Sequence, residues 1–194
     1  METKDHQKKI KILTQVARAS MPKLPYHNFN HAMGVYSAVN DFALLGNVEY
    51  KNRFLLKTAA LLHDIIFVPG KKDNEEKSSE FAISYLQKIG YSREQAQSVG
   101  KLILATKMPQ NPGDYLERLL CDADLNHLGK SNFFEQGEKL RIELGLLDSN
   151  EWYHQELEFL KGHKYHTGIA KRLRNSGKAT NIQKLEKMLQ EAKC

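Results

Sequence analysis

Two histidines four residues apart, His27 and His31, an adjacent His63-Asp64 pair, and the near neighbours Asp122 and Asp124 are the side chains whose types and spacing can do chemistry. Each group lies against apolar residues. His63-Asp64 sits between Leu61-Leu62 and Ile65-Ile66, and the two aspartates lie between Leu119-Leu120-Cys121 and Leu125. Ionisable groups are costly to bury unless they are paired, hydrogen-bonded or bound to a metal. A helix end would account for His63-Asp64 alone, and a polar surface for His27 and His31 alone. Three segments that each carry His or Asp into apolar surroundings are explained together by one shared metal ion. Imidazoles and carboxylates without thiolate suit a borderline or hard divalent ion, and Mn, Fe, Co, Ni, Zn and Mg all meet that description. Spacing leaves open whether Asp122 or Asp124 belongs to the set.

The elements that must position these groups are helices. Apolar residues recur at helical spacing nearly throughout, and no alternating run with hairpin signals interrupts them. A first helix is expected over 7–19, closed by Met21-Pro22 and Leu24-Pro25. A second begins near Asn28 and runs through Phe42 to Gly46-Asn47, a pair suited to a left-handed cap. His27 and His31 then share one side of its first turn. A third helix, expected to reach Ile66, carries His63-Asp64. Asp73 or Asn74 caps the fourth, with Glu75 and Glu76 in its first turn. Ser92-Arg93-Glu94-Gln95 has the form of a capping box. After the loop at 108–114 come helices over 115–128, 132–147 and 149–160, and then two more over 167–173 and 179–191. The expected fold is all-α, a single-domain bundle of nine or ten helices spanning 1–194, with a metal-site core at about 26–145 and C-terminal helices at 149–192 packed on it.

At 194 residues, 41% hydrophobic and 27% charged, the chain has the length and composition of one globular domain. No apolar run approaches the roughly 18–20 residues of a membrane span, and the polar Met1-Glu2-Thr3-Lys4-Asp5 start does not read as a secretory signal. The two cysteines, Cys121 and Cys194, do not make a disulfide framework. A cytoplasmic location is expected, with no membrane partner. The net charge of +6 favours anionic partners, yet the basic residues are scattered, which fits a phosphorylated small substrate better than nucleic acid.

The order His, His-Asp, distant Asp, here His31, His63-Asp64 and Asp124, resembles the signature of the HD superfamily of metal-dependent phosphohydrolases, over about 26–145. Tyr26-His27-Asn28-Phe29-Asn30-His31-Ala32 is similar to the Tyr-His-Asn-x-x-His-Ala motif of the cyclic nucleotide phosphodiesterases, and Ala123-Asp124-Leu125 to their Ala-Asp-Leu. The stretches Asp73-Asn74-Glu75-Glu76-Lys77-Ser78-Ser79 and Asp122-Ala123-Asp124-Leu125-Asn126-His127-Leu128-Gly129 resemble a group of small predicted HD phosphohydrolases still more closely.

This resemblance implies that His31, His63, Asp64 and Asp124 are metal ligands, with Asp64 able to bridge to a second ion. It implies that His27 protonates a leaving oxygen, a role suited to an imidazole near a cation and a phosphate. Asp122 is then a supporting or packing acid. Glu75 is a candidate to orient the attacking water, and Asn28 and Lys107 are candidate substrate contacts. No histidine lies between Asp64 and Asp124, where dinuclear relatives carry extra ones, so one ion is expected rather than two. His127 reads as a polar helix-end histidine, and Trp152 and Phe133-Phe134 as core rather than a platform for a base. The expected function is hydrolysis of a phosphate ester of a nucleotide or similar small molecule by a metal-bound water. The alternative is a non-catalytic HD module that binds a nucleotide and signals through a partner.

Overall fold

The computed structural model describes residues 4–192, and Cys194 and the first three residues lie outside that range. Among the described residues the fold is all-helical, with nine α-helices and one 3₁₀ segment. They are α1 (Lys4–Ser20), α2 (Phe29–Leu45), α3 (Tyr50–Leu62), α4 (Asn74–Lys88), α5 (Arg93–Leu104), α6 (Tyr115–Asp124), the 3₁₀ segment (Leu125–Gly129), α7 (Phe133–Glu143), α8 (Asn150–Gly162) and α9 (Gly168–Glu191). No described helix is long and apolar enough to cross a membrane.

The centre is built from α2, α3 and α6, whose buried faces carry Val35, Val39 and Phe42, then Leu56, Ala59 and Leu62, then Leu119 and Leu120. Burying several such side chains stabilises the domain by about 1.5–3 kcal/mol each. Helices α4 and α5 form a pair, with α5 against α3, while α9 lies over the 3₁₀ segment and α8. Local signals set the boundaries. The Asn28 side chain caps α2 by accepting from the Asn30 and His31 amides at 2.8 and 3.2 Å. The Ser92–Gln95 capping box forms at the start of α5, and Asn47, not Gly46, takes the left-handed conformation after α2 (φ 50°).

Beyond α7, which ends at Glu143 and not at 147, the observed helices depart from the expected ones in three places. Helix α3 stops at Leu62, so His63-Asp64 is a helix end and not a helical interior. The helix expected over 115–128 is divided, since the chain tightens into 3₁₀ geometry after Asp124. The two final helices are one, because Gly177 does not break α9 but lets it approach another element. A Cβ at 177 would overlap the Gly129 carbonyl oxygen, so a bare Cα is what brings α9 down onto the 3₁₀ segment.

Candidate metal centre and adjoining cleft

Three elements deliver four side chains to one point. His31 comes from the first turn of α2, His63 and Asp64 from the end of α3, and Asp124 from the last residue of α6. His63 Nε2 lies 3.2 Å from His31 Nε2 and 3.0 Å from Asp64 Oδ2. His31 Nε2 lies 3.1 Å from Asp124 Oδ1 and 3.5 Å from Asp64 Oδ2, and His63 Nε2 lies 3.5 Å from Asp124 Oδ1. Ligand atoms about 2.0–2.2 Å from one ion stand about 3.0–3.5 Å apart, so this spacing fits a divalent cation. His31, His63 and Asp124 together could hold an ion, with Asp64 Oδ2 at the same point.

The electrostatics agree with that fit. Burial opposes a charge on His63, but the Asp64 and Asp124 carboxylates outweigh it and hold its pKa well above the ordinary value. Burial likewise works to raise Asp64 and Asp124, and the neighbouring imidazoles overcome it and keep both low. A cluster that holds a proton this firmly has the charge balance that could hold a cation. Beneath it, His63 Nδ1 lies 3.0 Å from the Ala60 carbonyl. A carbonyl only accepts, so the proton sits on Nδ1 and Nε2 faces the cluster.

The turn that carries His63-Asp64 is clamped by α4. Ser78 Oγ accepts from the Ile66 amide at 3.1 Å and donates to the Ile66 carbonyl at 3.0 Å. Asn74 accepts from the Val68 amide at 3.0 Å and donates to the Val68 and Lys71 carbonyls at 3.1 and 3.3 Å. Both side chains are buried. The Asp73–Ser79 stretch thus has a structural use, which is to satisfy the backbone left open when α3 ends at the site.

Asp122 and Asp124 point in different directions, since two residues turn a helix by about 200°. Asp122 is fully buried and faces α9. Its Oδ1 accepts from the His166 amide at 2.7 Å, and its Oδ2 accepts from the Thr167 amide and hydroxyl at 2.8 and 2.6 Å. It ties α6 to the start of α9, leaving Asp124 as the α6 carboxylate at the cluster.

A cavity of about 350 Å³ opens beside the cluster, lined by His27, Asp64, Phe67, Lys71, Glu75 and Asp124 among others. His27 is held on two sides. Its ring stacks on Phe67 with centroids 3.5 Å apart, and its Nδ1 bonds to Glu143 Oε1. Glu143 Oε2 accepts from the Tyr26 and His27 amides, each at 2.9 Å. Burial would raise the Glu143 pKa, and the His27 bonds with these amides lower it, so the carboxylate stays ionised. Glu143 is 116 residues from His27, and nothing local in the sequence marks it.

Other candidates are placed less directly. Glu75 lines the cavity, its pKa raised by burial and by the Asp64 and Glu76 charges. Asn28 is spent on capping, and its amide nitrogen donates to the Leu24 and Pro25 carbonyls. Lys107 pairs with Glu76 and is not among the cavity-lining residues, whereas Lys71 is. His127 is a half-buried wall residue at the 3₁₀ segment, 3.3 Å from the Tyr26 hydroxyl. Burial and the charge of His31 push its pKa down to about 4, so it is a neutral imidazole at neutral pH.

No family model matches the chain, and no curated protein does. Solved structures do match. Bacillus subtilis YpgQ in complex with ADP superposes with a TM-score of 0.73 at 17% identity, over 96% of each chain. A predicted HD superfamily hydrolase from an uncultured Thermotogales bacterium superposes with a TM-score of 0.63 at 18% identity, over 96% of this chain and 92% of that one. The chain therefore shares its fold with both proteins across nearly its whole length.

Proposed function

We propose that this protein is an HD-type metal-dependent phosphohydrolase acting on a nucleotide or a similar small phosphate ester. The observation that carries the reading is the convergence of the His31, His63, Asp64 and Asp124 donor atoms at 3.0–3.5 Å beside a cavity that also presents His27. The fold shared with a predicted HD hydrolase and with an ADP-bound protein supports it.

His31, His63, Asp64 and Asp124 would hold one divalent ion. Such an ion supplies positive charge beside the phosphoryl oxygens and makes water more acidic. The chain's own residues do the rest. Because Glu143 occupies Nδ1 of His27 and stays ionised, the ring keeps a fixed tautomer, and Nε2 is the atom that exchanges a proton with the leaving oxygen. Phe67 holds the same ring in plane and covers one face from water. Lys71, at the cavity wall, balances phosphate charge, and Glu75 is placed to accept a proton from water near Asp64.

Metal analysis of the purified protein, with turnover of phosphomonoesters, cyclic nucleotides and nucleoside triphosphates under each divalent ion, tests this reading. Asp64→Ala should lose the ion, and His27→Ala should keep the ion while losing about a hundredfold or more in turnover. A protein that binds no divalent ion, or leaves every phosphate ester intact with each one, overturns the proposal. Tight nucleotide binding with no product would point to a non-catalytic module instead.

A further inference from the structure

A second cavity, of about 320 Å³, shares the walls His127, Leu140 and Phe159 with the cavity beside the metal centre. The two spaces adjoin across those three side chains, yet their chemistry differs. The second is mostly apolar and is walled by Phe133, Trp152 and Phe159. Its one ionisable wall group besides His127 is Glu156.

Glu156 is an unusual group to leave in such a place. It is 9% exposed and has no hydrogen-bond or ion-pair partner among the described residues. Its oxygens are not sealed from solvent, yet a charge beside so apolar a wall is unfavourable. The fold makes room for it deliberately: α7 carries Gly137 opposite, where a Cβ would overlap Glu156 Oε1. Glycine inside a helix costs about 1 kcal/mol relative to alanine. Two unfavourable choices therefore meet at one wall, and both keep a carboxyl at the edge of an apolar, aromatic space. On α8, Trp152, Glu156 and Phe159 follow one another at four- and three-residue steps, so one helix face presents ring, carboxyl and ring to the cavity.

We propose that this second cavity receives the base of a nucleotide whose phosphate lies at the His and Asp centre, and that Glu156 hydrogen-bonds the edge of that base. The inference rests on the functional reading above and names the part of the substrate which that reading leaves open. An apolar slot with aromatic walls suits a flat heterocycle, and one convergent polar group supplies orientation. Burial, with the neighbouring Glu138 charge, pushes the Glu156 carboxyl up to about 7, so its neutral form is well populated at neutral pH. A neutral carboxyl offers one donor beside one acceptor. That pair matches a base that carries an amino N–H next to a bare ring nitrogen, as adenine and cytosine do, and it closes the open valence of Glu156 without burying a charge.

The test measures affinity of the metal-loaded full chain for ADP, CDP and GDP against pyrophosphate, which has no base, alongside the turnover panel. Glu156→Ala should weaken ADP relative to pyrophosphate by about tenfold or more. Glu156→Gln keeps one donor and one acceptor and should hold ADP within about threefold of wild type. Phe159 is 41% exposed, so Phe159→Ala should fold whatever the fate of the Glu156 variants, and it too should lower the ADP-to-pyrophosphate affinity ratio. If that ratio is the same in wild type and in all variants, or if wild type binds pyrophosphate as tightly as any nucleotide, the base site is overturned while the phosphohydrolase reading stands. Failure of wild type to bind or turn over any phosphate compound overturns both.

Discussion

The ends of α6 and the middle of α8 each bury carboxylates, and they treat them in opposite ways. On α6, Asp122 accepts three hydrogen bonds from the start of α9, and Asp124 meets the imidazoles of His31 and His63. On α8, Glu156 is nearly as buried and meets nothing that can donate to it. Partnered acids hold the scaffold and the candidate metal centre in place, whereas the unpartnered one stands where we place the base of the substrate. The cleft thus has a polar half whose groups are organised in advance and an apolar half with one open valence.

The strongest way to break that contrast is to remove the partnered acid that faces α9 and not the cluster. Asp122→Asn sets an amide N–H against donors it cannot satisfy, and the variant should lose about 3 kcal/mol of stability, a fall of about 6–12 °C in melting temperature for a chain of this size. Its divalent-ion content, measured on folded protein, should match wild type. Loss of the ion at unchanged melting temperature would make Asp122 a ligand and erase the distinction between it and Asp124.

Glu143 sharpens the comparison on the catalytic side. Glu143→Gln should lower turnover by about 10–100-fold with the ion retained, because an amide positions the His27 ring less well than a carboxylate does. As a positioning residue, it should also shift the pH profile of turnover, and Glu143→Asp should restore part of the activity. An unchanged profile with unchanged turnover would reduce Glu143 to a purely structural bond.

The smallest expected effect comes from the unpartnered half. With a folded-state pKa of about 7 against an ordinary 4.5, Glu156 holds its proton more tightly when folded than when unfolded. Its stabilising contribution is therefore present in full below about pH 4.5 and is lost as pH rises towards 7. Glu156→Gln cannot ionise, so it should match wild type at pH 4 and exceed it above pH 7 by about 1 kcal/mol, once the group's partial access to solvent is allowed for. Denaturant melts of both proteins at the two pH values check the sign, and a gain confined to low pH would contradict the assignment.

Much of the site was legible from local pattern. The four-residue step between His27 and His31, the Asn28 cap that sets His31 in the first turn of α2 and leaves His27 just before the helix, and the polar pair within an otherwise apolar run at His63-Asp64 all depend on neighbours close in sequence. The end of α3 was less legible, because apolar residues continue to Ile66 and the backbone is released there by Ser78 and Asn74 from another helix. Trp152 and Phe133 are buried, as expected of core residues, but they are also cavity walls, a distinction that burial alone does not make.

The sequence by itself determined the all-helical fold, the His31 and His63-Asp64 candidates and the Asn28 cap beside them, since helix periodicity and capping act over three or four residues. Only the tertiary structure decided which aspartate of α6 faces the centre, that Glu143 reaches across 116 residues to His27, that α9 runs unbroken past Gly177, and that Glu156 is left without a partner. The physical reason is the same in each case: what a buried polar group meets is set by how helices pack, and packing is not written within one turn of a helix.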